Sequence, residues 1–89
     1  MDFTWDAAKA ESNARKHGVA FEEAQTVFAD ALARVYPDAV HEDRLVLVGM
    51  SKPGRLLYVV HIELDGSHIR LISARRATAQ ERKNYEEGY

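Results

Sequence analysis

The stretch LLYVVHIELDGSHIRLISAR, residues 56–75, decides the fold. Two runs rich in Val, Ile, Leu and Tyr flank Asp65-Gly66. An Asp-Gly pair between such runs signals a hairpin, because a type I′ turn needs a positive φ that Gly and Asp tolerate. The strands expected are Leu56 to Leu64 and His68 to Arg75, joined by a two-residue loop in which Leu64 faces Ser67. Counting back pairs Glu63 with His68, Ile62 with Ile69, His61 with Arg70, Val60 with Leu71, Val59 with Ile72, Tyr58 with Ser73, Leu57 with Ala74 and Arg55 with Arg76. That register dictates two unlike faces. Ile62, Ile69, Val60, Leu71, Tyr58 and Leu56 make one that is almost wholly apolar and is expected to pack on helices. The other presents Glu63, His61, His68 and Arg70 near the turn, an apolar patch of Leu57, Val59, Ile72 and Ala74, and Arg55 with Arg76 at the far end.

Working outward, the period of two extends back through Arg44 to Met50 and Leu32 to Tyr36, with Pro37-Asp38 and Lys52-Pro53-Gly54 as punctuation. Phe3 and Trp5 alternate around Thr4 as a short first strand would, which makes them core anchors and not base-stacking platforms. Between lie two helices. Asp6 can cap one over Ala7 to His17 and Gly18 stops it, while Ala7, Ala10 and Ala14 form a small-residue stripe. The second, Phe21 to Ala29, carries Phe21, Ala24, Val27 and Phe28 at helical spacing, although Ala20 supplies no side-chain cap at its start. At the other end Thr78 and Glu81 form a T-x-x-E capping box, and Gln80 to Glu87 continues as a polar helix. The expected architecture is α+β, in the order β-α-α-β-β-β-β-α, as one domain over residues 1–89 with an antiparallel sheet, two N-terminal helices and one C-terminal helix. Helices should cover the apolar sheet face and leave the other as the active surface.

Eighty-nine residues supply one core, which argues against a multidomain enzyme. No run is long and apolar enough to span a bilayer, and Met1 to Asp6 carries acid and Trp where a secretion signal needs a basic start, so a cytoplasmic location and no membrane partner are expected. The absence of Cys removes disulfides, thiol nucleophiles and the usual structural zinc sites. His17, His41, His61 and His68 lack metal-ligand spacing, and no G-x-S-x-G elbow or glycine-rich phosphate loop occurs; no metal and no cofactor are expected. Net charge is −2, but its distribution is uneven. Residues 1–43 hold four Lys/Arg against nine Asp/Glu, and residues 44–89 hold eight against five, so the second half is the basic one. Arg dominates there, and its guanidinium forks onto phosphate oxygens.

A carboxylate, two imidazoles and several guanidiniums on one sheet face are the parts needed to cleave RNA without metal. A base takes the ribose 2′-hydroxyl proton, the oxygen attacks the adjacent phosphorus, cations stabilise the phosphoryl oxygens, and an acid protonates the leaving 5′-oxygen. Glu63 or His61 is the candidate base. Arg55, Arg70, Arg75 and Arg76 are candidate phosphate clamps, with His17 or Tyr85 as further donors. The plainer alternative is a cross-strand pair of Glu63 with His68 or Arg70, adding only about 0.2 to 1 kcal/mol to the sheet. On that alternative the chain is a non-catalytic module that binds RNA or a protein.

Beyond this chemistry, the segments F-x-W-D-x-A-K-A-x-x-N-x-x-K-H-G-V (Phe3 to Val19), F-E-E-A-x-x-V-F (Phe21 to Phe28) and I-R-x-I-S-A-R-R-A-T-x-x-E-R-x-x-Y-E (Ile69 to Glu86) resemble the BrnT toxins. D-R-L-V-L-V-G-M-S (Asp43 to Ser51) and G-R-L-L-Y-V-V (Gly54 to Val60) extend the likeness over nearly the whole chain. The resemblance implies a RelE-like fold and a ribonuclease toxin of a type II toxin–antitoxin pair that inhibits translation. It also implies neutralisation by a BrnA-type antitoxin in a 2:2 assembly bridged by the antitoxin, which alone contacts operator DNA. Arg75, Arg76 and Tyr85 are the catalytic candidates it favours. Lys16 and His17 match its K-H-G segment, and Arg82 joins Arg55 and Arg70 as a candidate contact to RNA phosphate.

Overall fold

The computed structural model describes residues 1–88. Its elements follow the expected order: β1 (Asp2–Thr4), α1 (Ala7–His17), α2 (Phe21–Ala24) running into a 3-10 turn (Gln25–Ala29), β2 (Arg34–Pro37), β3 (Leu45–Met50), β4 (Leu56–Glu63), β5 (His68–Arg76) and α3 (Ala79–Glu87). The five strands form one sheet in the order β1-β5-β4-β3-β2. It is antiparallel except at β1, which lies parallel to β5 with Phe3 opposite Ile69. The α+β architecture expected from the sequence is the one observed.

Local chemistry explains the element ends. The Asp6 carboxylate accepts the Lys9 N–H at 3.0 Å, which favours its charged form and lowers its pKa. Gly18 closes α1 at φ 68°, where its N–H donates to Ala14 O. The capping box of Thr78 and Glu81 forms in full. By contrast, the helix expected over Phe21 to Ala29 stays α-helical for only four residues. Its start carries no side-chain cap, and the Thr26 hydroxyl donates to Glu23 O at 2.7 Å, competing with the α-helical ladder. Asp30 then turns the chain by accepting the Leu32 N–H, so β2 begins at Arg34 and not at Leu32. Gly49 on β3 allows this turn to lie close: a Cβ there would sit 2.8 Å from both Ala33 Cβ and Val27 Cγ1.

The central hairpin departs from expectation twice. The His68 N–H donates to Asp65 O and the Leu64 N–H to His68 O, so the turn centres on Gly66-Ser67 and Leu64 opposes His68. Glu63 therefore pairs with Ile69, Ile62 with Arg70 and His61 with Leu71. A β-bulge at Val60/His61 then leaves Ile72 unopposed, after which Val60 pairs with Ser73, Val59 with Ala74, Tyr58 with Arg75 and Leu57 with Arg76. The faces change accordingly. Leu57, Val59 and His61 of β4 join Ile69, Leu71 and Ala74 of β5 on the side that α1 and α2 cover, with Val19, Phe21, Ala24 and Val27 packed over them. This is the face expected from the sequence to be the open active surface. Its opposite carries Val46, Val48 and Leu56 beneath α3, whose Tyr85 and the preceding Ala77 lie against them. Both faces are covered, at least in part, so β4 is apolar on both and its alternation does not discriminate between registers.

Candidate functional site

Three groups of polar side chains result, and they do not coincide with the single cluster expected. The first sits near the hairpin turn. Glu63 is exposed, but His61 beside it is 2% exposed and packs edge-on against Phe28 with ring centroids 4.9 Å apart. Burial lowers the His61 pKa. Arg70 pairs with Ile62 and lies on the opposite face, as does His68, whose Nε2 is 3.1 Å from Thr4 Oγ1. Glu63, His61, His68 and Arg70 therefore share no common face. Six residue steps along β4 separate Glu63 from Leu57, the partner of Arg76, a span of roughly 20 Å that forbids joint action.

A second group lies on the α3 face. The bulge reverses the alternation of β5 and turns Arg75 onto this side, its guanidinium 3.8 Å from the Tyr58 ring centroid. Arg75 donates through both terminal nitrogens to Glu81, each at 2.9 Å. Burial alone would raise the Glu81 carboxyl, but the Arg75 and Thr78 N–H bonds outweigh it and hold its pKa below the usual range. Tyr85 donates its phenolic proton to Asp30 Oδ2 at 2.6 Å, and that bond with burial pushes its pKa up to about 12. The same Asp30 oxygen accepts the Met50 N–H, so Tyr85 ties α3 to β3. Arg82 is exposed on α3 and pairs loosely with Glu86 at 3.7 Å.

The third group forms where α1 meets α2. Arg55 donates to both carboxylate oxygens of Glu23 and to Gly18 O at 3.1 Å, directly after Lys16 and His17. Ser51 also donates to Glu23, and these bonds, that of Arg55 foremost, lower the Glu23 pKa. Arg76 lies close enough for its charge to act on Glu23, yet among the described residues its guanidinium has no hydrogen bond or ion pair. Alongside runs a cleft of about 190 Å³ between α1 and the β5 edge, lined by Lys9, Ser12, Lys16, His17 and Ser73 and without a carboxylate. Of the ten site residues expected from sequence, the structure thus gathers Lys16, His17, Arg55 and Arg76 at one end of the sheet.

Asn13, to which the sequence gives no role, underlies this end. It is 6% exposed. Its Nδ2 donates to Val19 O and Ala74 O, and its Oδ1 accepts the Ala74 N–H at 3.0 Å, sealing the β5 edge that β1 leaves unpaired. The available signal was a polar residue three positions after Ala10, on the helix stripe otherwise made of small side chains. Among the described residues no group of three or more Asp, Glu or His side chains is arranged to hold a metal ion. Nor is any helix long and apolar enough to cross a membrane.

A family model for the ribonuclease toxin BrnT of type II toxin–antitoxin systems matches residues 5–81. This chain belongs to the BrnT family. Membership makes it a ribonuclease toxin with an antitoxin as its partner. Among solved structures it is similar to the ribonuclease toxin BrnT of Brucella abortus, with 26% identity and a TM-score of 0.71 over 88% of this chain and 97% of that one. Among curated proteins none matches. The five-stranded sheet and three helices are therefore a BrnT arrangement, and they carry the Lys16, His17, Arg55 and Arg76 group within the matched residues.

Proposed function

We propose that this BrnT-family chain cleaves RNA without a metal ion, by attack of a ribose 2′-hydroxyl on the adjacent phosphorus, and that it thereby inhibits translation in the cytoplasm. The observation that supports this most is the α1–β5 cleft, which in a ribonuclease-toxin family brings an exposed imidazole and an exposed ammonium together, with the uncommitted Arg76 guanidinium outside its lining, at the end of β5. His17 takes the 2′-hydroxyl proton. The 2′-oxygen forms its bond to phosphorus, Arg76 stabilises the charge on the phosphoryl oxygens, and the P–O5′ bond breaks as the Lys16 ammonium protonates the departing oxygen. The products are a 2′,3′-cyclic phosphate and a 5′-hydroxyl. Arg55, already bonded to Glu23, acts by position: its bond to Gly18 O fixes the α1 end to the start of β4. Arg75, Arg82 and Arg70 serve as outlying contacts to the RNA backbone. Glu63, the buried His61 and the Asp30-bonded Tyr85 have no part in the step.

End-labelled RNA incubated with purified protein in excess chelator tests this. Fragments ending in 2′,3′-cyclic phosphate are expected, and His17→Ala should slow their appearance by about 10²-fold or more. A gel shift with intact RNA would support the non-catalytic binding module instead. The basic cleft also suits capture by an acidic or amphipathic segment of a BrnA-type antitoxin, giving a 2:2 assembly in which the antitoxin bridges two toxins and alone contacts operator DNA. Co-expression with the neighbouring reading frame, followed by sizing, tests that arrangement.

A further inference from the structure

On the α3 side of the sheet a second cleft of about 250 Å³ opens between α3 and the β2–β3 strands. Tyr36, Val46, Val48 and Tyr58 give it a floor and walls, and Glu81 and Asn84 reach it from α3. The register explains this composition. Tyr36, Val46, Val60 and Ser73 form one cross-strand row, and Arg34, Val48, Tyr58 and Arg75 form the next, so two valines lie between two tyrosines. We infer that this cleft is a nucleobase subsite, which seats one unstacked base of the RNA whose cleavage is proposed above and rests on that proposal.

Size, surface chemistry and position support it. Pockets for drug-sized molecules run to about 300–1,000 Å³, so this one suits a single flat ring system and not a whole nucleotide. Unstacked bases are held by aromatic side chains and by hydrogen bonds to their Watson–Crick edges. Tyr36 and Tyr58 supply the rings. Tyr58 is held in place by Arg75, itself clamped by Glu81, so little ordering remains to be done when a base enters. At the rim, among the described residues, Glu81 Oε2 takes one bond, from Arg75, and so keeps a lone pair, while the Asn84 amide nitrogen donates to none of them. An acceptor beside a donor matches a Watson–Crick edge, and the order of the two along the edge gives a preference among bases. Position supports it too. The row through Tyr36 and Val46 ends at Ser73, which also lines the Lys16 and His17 cleft, about 10 Å from Val46 across two strand spacings. A strand of RNA passing over the β5 edge can therefore seat a phosphate in one cleft and a nearby base in the other, with Arg75 between them.

The test titrates the four nucleoside 3′-monophosphates, and ribose 5-phosphate as the phosphate-only control, into the full chain while the Val46 and Val48 methyl resonances are followed. Nucleotides should shift those methyls, one base more strongly than the rest, and ribose 5-phosphate should not. Ala39→Trp, at an exposed position on the cleft mouth, should weaken nucleotide binding about tenfold or more, and Asn84→Ala should level the differences among bases. Val40→Ser, exposed next door but outside the lining, should bind as the parent does. Unchanged thermal melts would show that both cleft variants remain folded. Equal shifts from nucleotides and ribose 5-phosphate, or full binding by Ala39→Trp, would overturn the subsite. RNA cut with no base preference while the methyls stay silent would remove the subsite and leave cleavage standing. Base-selective methyl shifts in a protein that cuts no RNA would do the reverse.

Discussion

The two faces of the sheet are built on different terms. Under α1 and α2 lies one continuous cluster of ten buried apolar residues, whereas the α3 face has three, and α3 itself contributes no fully buried side chain. What holds α3 is largely polar: the Arg75–Glu81 fork, the Tyr85–Asp30 bond and the capping box. Apolar burial scales with area and is costly to interrupt, while single hydrogen bonds add only about 0.5–1.5 kcal/mol each. The difference teaches that stability resides on one face, which leaves the other free to keep an open cleft.

The most direct challenge to this division is a pair of truncations. Leu57→Ala, at a fully buried position of the larger cluster, should lower the unfolding free energy by about 2–5 kcal/mol in urea titrations. Val60→Ala, on the half-buried α3 side of the same strand, should cost clearly less. Equal losses would show that the two faces contribute alike.

Arg75 and Arg76 sharpen the comparison at adjacent positions. Strand alternation sends them to opposite faces and the bulge decides which faces these are, so that one is clamped by Glu81 and the other has no carboxylate bond. Arg76→Ala should reduce RNA cleavage by about 10²–10³-fold with little change in melting temperature. Arg75→Ala should do the opposite in kind, lowering stability by about 1–3 kcal/mol as Glu81 loses its partner, with a smaller effect on rate. A loss of rate in Arg75→Ala that matches Arg76→Ala would move the catalytic centre to the α3 face.

The same pair shows where the sequence was legible. Caps are local, so Asp6, Gly18, Thr78 and Glu81 announced their helices correctly. Phe3 and Trp5 were readable as core anchors, and they pack edge-on against Phe28 and Phe21. Register is not local. A turn displaced by one residue and a bulge at Val60/His61 leave no mark in a strand reading LLYVVHI, where both faces are apolar, and together they moved His61 into the core and parted it from Arg70. The site followed the register: Arg76, Lys16, His17 and Arg55 were named from sequence, but their meeting at one end depends on Arg55 reaching Gly18 and on Asn13 sealing Ala74, contacts across long stretches of chain.

His61 offers a smaller effect of definite sign. Burial disfavours its imidazolium, so its folded pKa lies below the unfolded value of about 6.5. Above that value both states are neutral and the full stability is present. As pH falls through it, the unfolded chain takes up a proton that the folded chain resists, and stability declines until the folded pKa is reached. Thermal melts from pH 8 to 5.5 should show this decline, and His61→Leu should flatten it. A variant with the parental slope would place the titration elsewhere.

The smallest effect expected is that of Tyr85→Phe. The substitution removes one hydroxyl that donates to Asp30 at 2.6 Å, while Asp30 keeps its bonds from Met50 and Leu32. The loss should be about 1 kcal/mol, and amide exchange should quicken in α3 before it does in α1. The bond also has a signature of its own. Donation to Asp30 raises the phenol to about 12, so its contribution is fully present below the ordinary tyrosine value of about 10 and is lost as pH rises through the folded pKa. A difference titration, parent minus Tyr85→Phe, should therefore show one phenolate absorbance appearing near pH 12 and not near 10. Should Tyr85→Phe instead destabilise the protein as much as Leu57→Ala, the α3 face would carry stability that three buried residues cannot supply, and the contrast between the two faces would fail.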